Sequence, residues 1–225
     1  MSFYLNDLLI IIIIVLPLIS QGIITSTYSK YSKIENSSNL SGKDVARKIL
    51  DKNGLQKVTI GKIPGNLTDH YDPRNKHINL SEAIYEDTSI SSVSVAAHEV
   101  GHAIQDKEKY SFLTFRTKMV PIVNLTSRFS TILIILGFTT ELLNIVYLGI
   151  IFLSIGLLFQ LITLPVEFDA SRRAKIQLQQ MGLITQKDIK GTKKVLNAAA
   201  FTYVAGFLAN ALNILRLLLI SRRRD

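Results

Sequence analysis

The chain has no cysteine. That excludes a disulfide framework and any thiolate metal site, so a metal ion here must be held by His, Asp or Glu. Histidine is itself scarce, and the four are His70, His77, His98 and His102. Acidic residues are in deficit, 17 against 26 Lys and Arg, for a formal charge of +9. Such a balance fits nucleic acid, an anionic membrane surface or the cytoplasmic loops of a membrane protein, and its distribution must decide. There is no internal repeat and no low-complexity tract. With 48% apolar residues in 225 positions, the chain is too apolar for disorder and too short for a multi-domain enzyme.

Charge is also missing over long stretches. Leu8 to Ser29 is 22 residues without a charge, and about 20 apolar residues carry a helix across the hydrocarbon. A cleaved signal peptide is the alternative, but its basic amino-terminal region is absent, since MSFYLND has Asp7 and no Lys or Arg. Phe129 to Thr140 is uncharged for only 12 residues, between Arg128 and Glu141. It spans if Arg128 lies near an end or faces protein. Leu142 to Val166 gives 25 uncharged residues and a second arm, which makes a helical hairpin with Glu141 and Asn144 at its tip. The last apolar run, Val195 to Leu215, holds Ala205 and Ala209 at the small-xxx-small spacing that lets membrane helices approach closely.

Five segments follow: an anchor (1–29), a polar region (30–118), a membrane hairpin (119–166), a charged helix and basic loop (167–194), and an apolar helix with a basic tail (195–225). Segments 30–118 and 167–194 hold 21 of the 26 basic residues. A two-helix hairpin between them places both on one face, expected to be cytoplasmic. The tail Ser221 to Asp225 conflicts with this if the last helix crosses fully, and the sequence leaves open whether it crosses or lies within the inner side of the membrane. Positive loops beside membrane spans account for the charge, so nucleic acid is not an expected partner.

Within the polar region, Ser41 reads as the N-cap of a helix with Val45, Ala46, Ile49 and Leu50 on one face, stopped at Gly54. Lys57 to Ile63 alternates like a strand. Leu67 to Tyr71 and Lys76 to Leu80 flank Asp72-Pro-Arg-Asn75, which predicts a short antiparallel hairpin. Ser89 to about Lys107 reads as a helix, apolar or small on nearly every side from Val93 to Ile104 and therefore buried.

That helix carries His98-Glu99-Val100-Gly101-His102. Histidines at i and i+4 project from one helical face and can meet a single tetrahedral metal ion. Glu99 then sits beside the metal and can take a proton from a water the metal activates, the arrangement of a metalloprotease. Burying two imidazoles and a carboxylate in so apolar a helix requires compensation, which a metal supplies. A purely structural zinc site is the competing reading, although it has no need of Glu99. Gly101 weakens a helix and fits where a neighbouring backbone comes close. A catalytic zinc also needs a third protein ligand and an open position, with His70, His77 and the acids as candidates. Glu167, read as opening a helix just after Pro165, is expensive as a lone carboxylate beside an apolar run. Its alternative role is an acid in the first turn, favoured by the helix dipole.

Val95-Ala-Ala-His-Glu-Val-Gly-His-Ala-Ile-Gln105, with Asp69-His-Tyr-Asp-Pro73, Asn79-Leu-Ser81, Leu164-Pro-Val-Glu-Phe-Asp-Ala-Ser-Arg-Arg-Ala174 and Ala199-Ala-Phe-Thr-Tyr-Val-Ala205, resembles the YugP-like neutral zinc metallopeptidases of bacterial membranes. The resemblance runs over essentially the whole chain. It implies a multi-pass protein of the bacterial cell membrane, of the gluzincin type and distantly similar to HtpX and the CAAX prenyl endopeptidases, with Zn²⁺ as cofactor. In that group a Glu opening an E-x-x-A-D pattern on a later helix is the third ligand. The matching stretch here is Glu167-Phe-Asp-Ala-Ser171, which gives Glu167 that role. Ser171 departs from the Asp that partners a zinc histidine in the group, so the corresponding hydrogen bond is open. Asp169 is an alternative partner, although two residues along a helix turn it well away.

The expected architecture is thus a mainly α membrane protein with a small α+β zincin-like region, built from the His-Glu-x-x-His helix and a short antiparallel hairpin. The expected activity is zinc-dependent endopeptidase cleavage with His98, His102 and Glu167 on the metal and Glu99 as general base. Expected partners are the lipid bilayer and protein or peptide substrates at the inner surface. His70, Tyr71, Arg172, Arg173 and Tyr203 are candidate donors to the oxyanion, each with a plain alternative as a solvated loop residue, packed ring or charged helix face. The hairpin resembles the edge strand on which zinc peptidases lay out an extended substrate. The alternative function is a membrane-anchored zinc-binding scaffold or an inactive protease homologue.

Overall fold

Seven helices and three strands make up residues 3–222, the part of the chain that the computed structural model describes. In chain order they are α1 (Phe3–Tyr31), α2 (Gly42–Lys52), β1 (Thr59–Ile63), β2 (His70–Asp72), β3 (His77–Ser81), α3 (Glu82–Tyr85), α4 (Ile90–Lys107), α5 (Ser111–Thr139), α6 (Leu143–Gln180) and α7 (Gln186–Ser221). Tail residues 223–225, on which the expected topology conflicts, lie outside the described residues. The chain is a mainly α membrane protein with a small α+β region, as the sequence predicts.

The described chain divides into two compact units. One comprises Gly22–Leu113 and Pro165–Phe201. Here Ser41 and Asp44 close a capping box at the start of α2, each side chain accepting from the other residue's backbone N–H. Gly54, at φ +68°, follows the last turn in the left-handed conformation that glycine adopts without strain. The Asp72 carboxylate accepts from the Arg74 and Asn75 backbone N–H groups and so builds the turn between β2 and β3. The sheet runs β1-β3-β2, with β1 parallel and β2 antiparallel to β3.

Alternation along β3 buries Ile78 and Leu80 while its other residues face the opposite side. These two pack with Val45, Ile49 and Leu50 of α2, Val93, Ala97 and Val100 of α4, and Ala174 and Leu178 of α6. Helix α4 is the centre of this core. Ser89 caps it by accepting from Ser92 N–H, and most of its length is buried.

The second unit comprises Met1–Gln21, Thr114–Leu164 and Thr202–Asp225. Close approach of α5 and α6 is built into its glycines: a Cβ on Gly137 would fall 2.6 Å from Val146 N, and one on Gly149 3.0 Å from Ile134 N. Ala205 and Ala209 are both buried, as their spacing predicts. Helices α1, α5, α6 and α7 are each long and apolar enough to cross a membrane, and they leave Ile11, Leu18, Ile132 and Ile151 exposed, side chains that suit hydrocarbon.

Two elements differ from the sequence expectation. Helix α5 is 29 residues long, far beyond the 12 uncharged residues before Glu141, because Arg128 is carried along the helix rather than ending it. Helix α6 runs unbroken through Pro165, so Glu167 stands inside a helix and not in its first turn. Proline removes one backbone donor, but an apolar helix has strong reason to keep every remaining main-chain bond. The helix-dipole explanation for Glu167 therefore falls.

Candidate metal centre

Two helical faces meet at the centre of the first unit. On α4, His98, Gly101, His102 and Gln105 follow the i, i+3, i+4, i+7 spacing of a single face. On α6, Glu167, Ala170, Ser171, Ala174 and Leu178 follow the same rule, and all five are buried. Gly101 is what lets the faces close. A Cβ there would lie 2.6 Å from the Ala170 carbonyl oxygen, a backbone atom that cannot swing aside. Gly101→Ala is expected to cost roughly 1–3 kcal/mol of stability, the usual penalty of overpacking. Zinc affinity should fall with it, although no candidate ligand is altered. Thermal melting and zinc titration check this; a variant that melts and binds like wild type would contradict the close approach.

The two faces bring His98, His102 and Glu167 together. Glu167 Oε2 lies 3.2 Å from His98 Nε2 and 3.6 Å from His102 Nε2, and the three potential donor atoms are within 4.8 Å of one another. Donors at zinc-ligand distances around a tetrahedral ion are about 3.3 Å apart, so the spacing fits zinc. Among the described residues no other group of three His, Asp or Glu side chains is gathered in this way. The site is shielded: Glu99 is 7% exposed, His102 8% and Glu167 2%.

Both imidazoles are oriented from behind. Gln105 Nε2 donates to the Val166 carbonyl at 2.8 Å and to Asp169 Oδ2 at 2.9 Å. Both of those atoms can only accept, so the amide nitrogen must face them and Gln105 Oε1 is left to accept. His102 Nδ1, 3.0 Å from that oxygen, carries the proton, and the lone pair is on Nε2, the atom nearer Glu167. His98 Nδ1 lies 3.1 Å from Ser171 Oγ. The hydroxyl makes the bond that the sequence left open. Asp169 does not reach His98; it holds Gln105 and the guanidinium groups of Arg172 and Arg173. Gln105 escaped the sequence reading as a positioning residue; the structure buries it completely, one turn after His102.

Glu99 stands outside the three-residue cluster. Burial pushes its carboxyl up to about 7; Glu167 and Asp69 add to the rise, while His98 and the Tyr71 backbone amide oppose it. Asp69 locks the start of the hairpin by accepting from Ser81 N–H at 2.6 Å and from Ser81 Oγ at 3.1 Å. Tyr71 Oη donates to Asp106 Oδ2 at 2.6 Å, which ties β2 to α4. Burial first, and that bond second, raise the phenol's pKa and keep it protonated.

The remaining candidates lie elsewhere. His70 is exposed, with Nδ1 on the Thr68 carbonyl and Nε2 facing Asn79 Nδ2. His77 sits in the sheet against Thr59 Oγ1. Arg172 is exposed beside Asp169, and Arg173 bridges Asp169 and Glu108. Tyr203 is exposed on α7, in the second unit.

A His-Glu-x-x-His helix facing a buried carboxylate, in a chain with membrane-length apolar helices, defines the class of membrane zinc metallopeptidases. The chain belongs to the family described as "Putative neutral zinc metallopeptidase", whose model matches residues 7–222, and zinc is the metal of that family. It is similar to the "Putative membrane protease YugP" of Bacillus subtilis (strain 168), 47% identical over 197 residues that cover 88% of each chain. No solved structure matches it significantly.

Proposed function

We propose that this protein is a membrane-embedded zinc endopeptidase in which His98, His102 and Glu167 hold the metal and Glu99 is the general base. The observation that carries the reading is the division of labour among four groups, of which Glu99, His102 and Glu167 are buried and His98 half-buried. Three present donors at zinc-like spacing, with both histidines engaged at Nδ1, while the fourth, Glu99, is adjacent in sequence yet free of the cluster. When bound, zinc supplies Lewis acidity, which polarises a peptide carbonyl and makes water a competent nucleophile near neutral pH.

Everything else is the work of the chain. Glu99 takes the proton from the attacking water and returns it to the departing amine, and burial, which favours its protonated form, helps it to hold that proton between the two transfers. Three protein donors leave a fourth position for the reacting groups. Strand β2 is an edge of the sheet, and the backbone amide of its Tyr71 faces Glu99. A substrate strand added beside β2 would bring its carbonyl to the site through main-chain hydrogen bonds, with weak selectivity for side chains.

Residues 30–118 and 167–194 are the catalytic part in this reading, and 1–29, 119–166 and 195–225 the membrane part. Concentration of Lys and Arg in the two catalytic segments supports a cytoplasmic site, and hence membrane-associated proteins or peptides as substrates. The test is zinc content of the detergent-purified protein beside proteolysis of an unfolded membrane protein, with and without chelator. One zinc per chain and chelator-sensitive cleavage are expected. Stoichiometric zinc without cleavage would favour a zinc-binding scaffold instead.

A further inference from the structure

In the first unit, the Gly22–Tyr31 part of α1 and the start of α7 run antiparallel. Tyr31 lies against Gly191, where an added Cβ would be 2.8 Å from Tyr31 Cε1, and Tyr31 clusters with Val195 and Ile90. One and a half turns further along α7, the two helices leave a groove of about 390 Å³ lined by Ile23, Thr27, Lys194, Asn197, Ala198 and Phe201.

The groove is polar at one end and apolar at the other. Antiparallel packing sets Thr27 level with Lys194 and Asn197, and Ile23 level with Ala198 and Phe201. Among the described residues, the Thr27 hydroxyl, the Lys194 ammonium and the Asn197 amide have no hydrogen-bond or ion-pair partner. Lys194 and Asn197 are exposed and Thr27 is half-buried, so three solvent-facing donor groups line one end. The local field is positive as well, because Lys187, Lys190, Lys193 and Lys194 lie within two turns of α7. Asp188, the only acid on that helix, is buried and spent on the backbone N–H groups of Ser37 and Thr185.

We propose that this groove binds one anionic glycerophospholipid. Lys194, Asn197 and Thr27 hold its phosphate, and Ile23, Ala198 and Phe201 take the first carbons of an acyl chain. Donors and positive charge select a phosphate. The apolar half, on helices long and apolar enough to cross a membrane, selects a lipid over a free anion. The lysine cluster alone would attract any anionic surface; the groove adds a defined seat for one molecule.

Native mass spectrometry of the full-length protein tests this, with equimolar phosphatidylglycerol and phosphatidylcholine of identical acyl chains. One phosphatidylglycerol should be retained in preference to phosphatidylcholine. Lys194→Gln should lower that retention about fivefold, the effect of one basic residue near an anionic headgroup, and Lys194→Arg should restore most of it. Lys187→Gln, the same charge loss outside the groove, should have little effect, and Ala198→Trp should expel the lipid at unchanged charge. Equal retention of both lipids would overturn the proposal. So would equal losses in the Lys187 and Lys194 variants, which mean diffuse attraction, or displacement of the lipid by millimolar inorganic phosphate, which means a free-anion site.

Discussion

Glu99→Gln is expected to leave zinc bound and to slow peptide hydrolysis by about 10²- to 10⁴-fold, the range for a lost general base. The substitution keeps the side chain's size and its hydrogen-bonding shape, so packing in a 7% exposed site is little changed. It removes the capacity to accept and return a proton. Zinc should stay because Glu99 is not among the three gathered donors. Burial already disfavours the ionised form of this carboxyl, so a neutral amide in its place should not lower thermal stability. Metal content and the rate of chelator-sensitive cleavage, measured on one preparation, separate the effects. Wild-type cleavage by the Gln variant would remove Glu99 from the base role. Loss of zinc would mean that Glu99 also supports the metal.

Local signals account for how much of this site was legible in advance. Ser89, the apolar run after it and the i, i+4 histidines predict α4, and the structure has it from Ile90 to Lys107. Asp72-Pro-Arg-Asn75 predicts the hairpin turn, and the Asp72 carboxylate builds it. Gly101 as a point of close backbone approach was readable because a glycine inside a buried helix needs a reason. The pairing of β1 with β3 was not readable, since a parallel register is fixed by residues far apart in sequence. Nor was the continuity of α6: Pro165 is a stop signal in water, whereas apolar surroundings favour unbroken main-chain bonding.

The support behind the histidines was legible in part. The family resemblance pointed to a hydrogen-bond partner at position 171 and left that bond open because Ser stands there, with Asp169 as the alternative. Distance resolves the doubt, with Ser171 Oγ 3.1 Å from His98 Nδ1. Gln105 was quoted only as the end of a motif. Its importance lies in three contacts, to His102, Val166 and Asp169, two of them across 61 and 64 residues of chain, which no local pattern encodes.

Glu167→Ala should abolish stoichiometric zinc binding and, with it, activity. Two imidazoles and solvent would remain where the structure gathers two imidazoles and a carboxylate, and a catalytic zinc site requires three protein donors. Glu167→Gln is the stricter version, since it keeps the volume of a 2% exposed side chain but exchanges a charged donor for a weak neutral one. Asp169→Ala provides the contrast. Asp169 is two hydrogen bonds away from the metal side of His102, through Gln105. Loss of such outer support costs about 10- to 100-fold in affinity or activity, and loss of Glu167 should exceed that. Zinc titration of the three variants, with melting curves to confirm folding, gives the order. If the Asp169 variant loses zinc while both Glu167 variants keep it, the ligand has been placed two residues from its true position. If all three keep it, the third donor lies elsewhere, with His70 and His77 the next to test. Those rings are held in the sheet, by Thr68 and Asn79 in one case and by Thr59 in the other, so either would have to abandon that bonding to reach the metal.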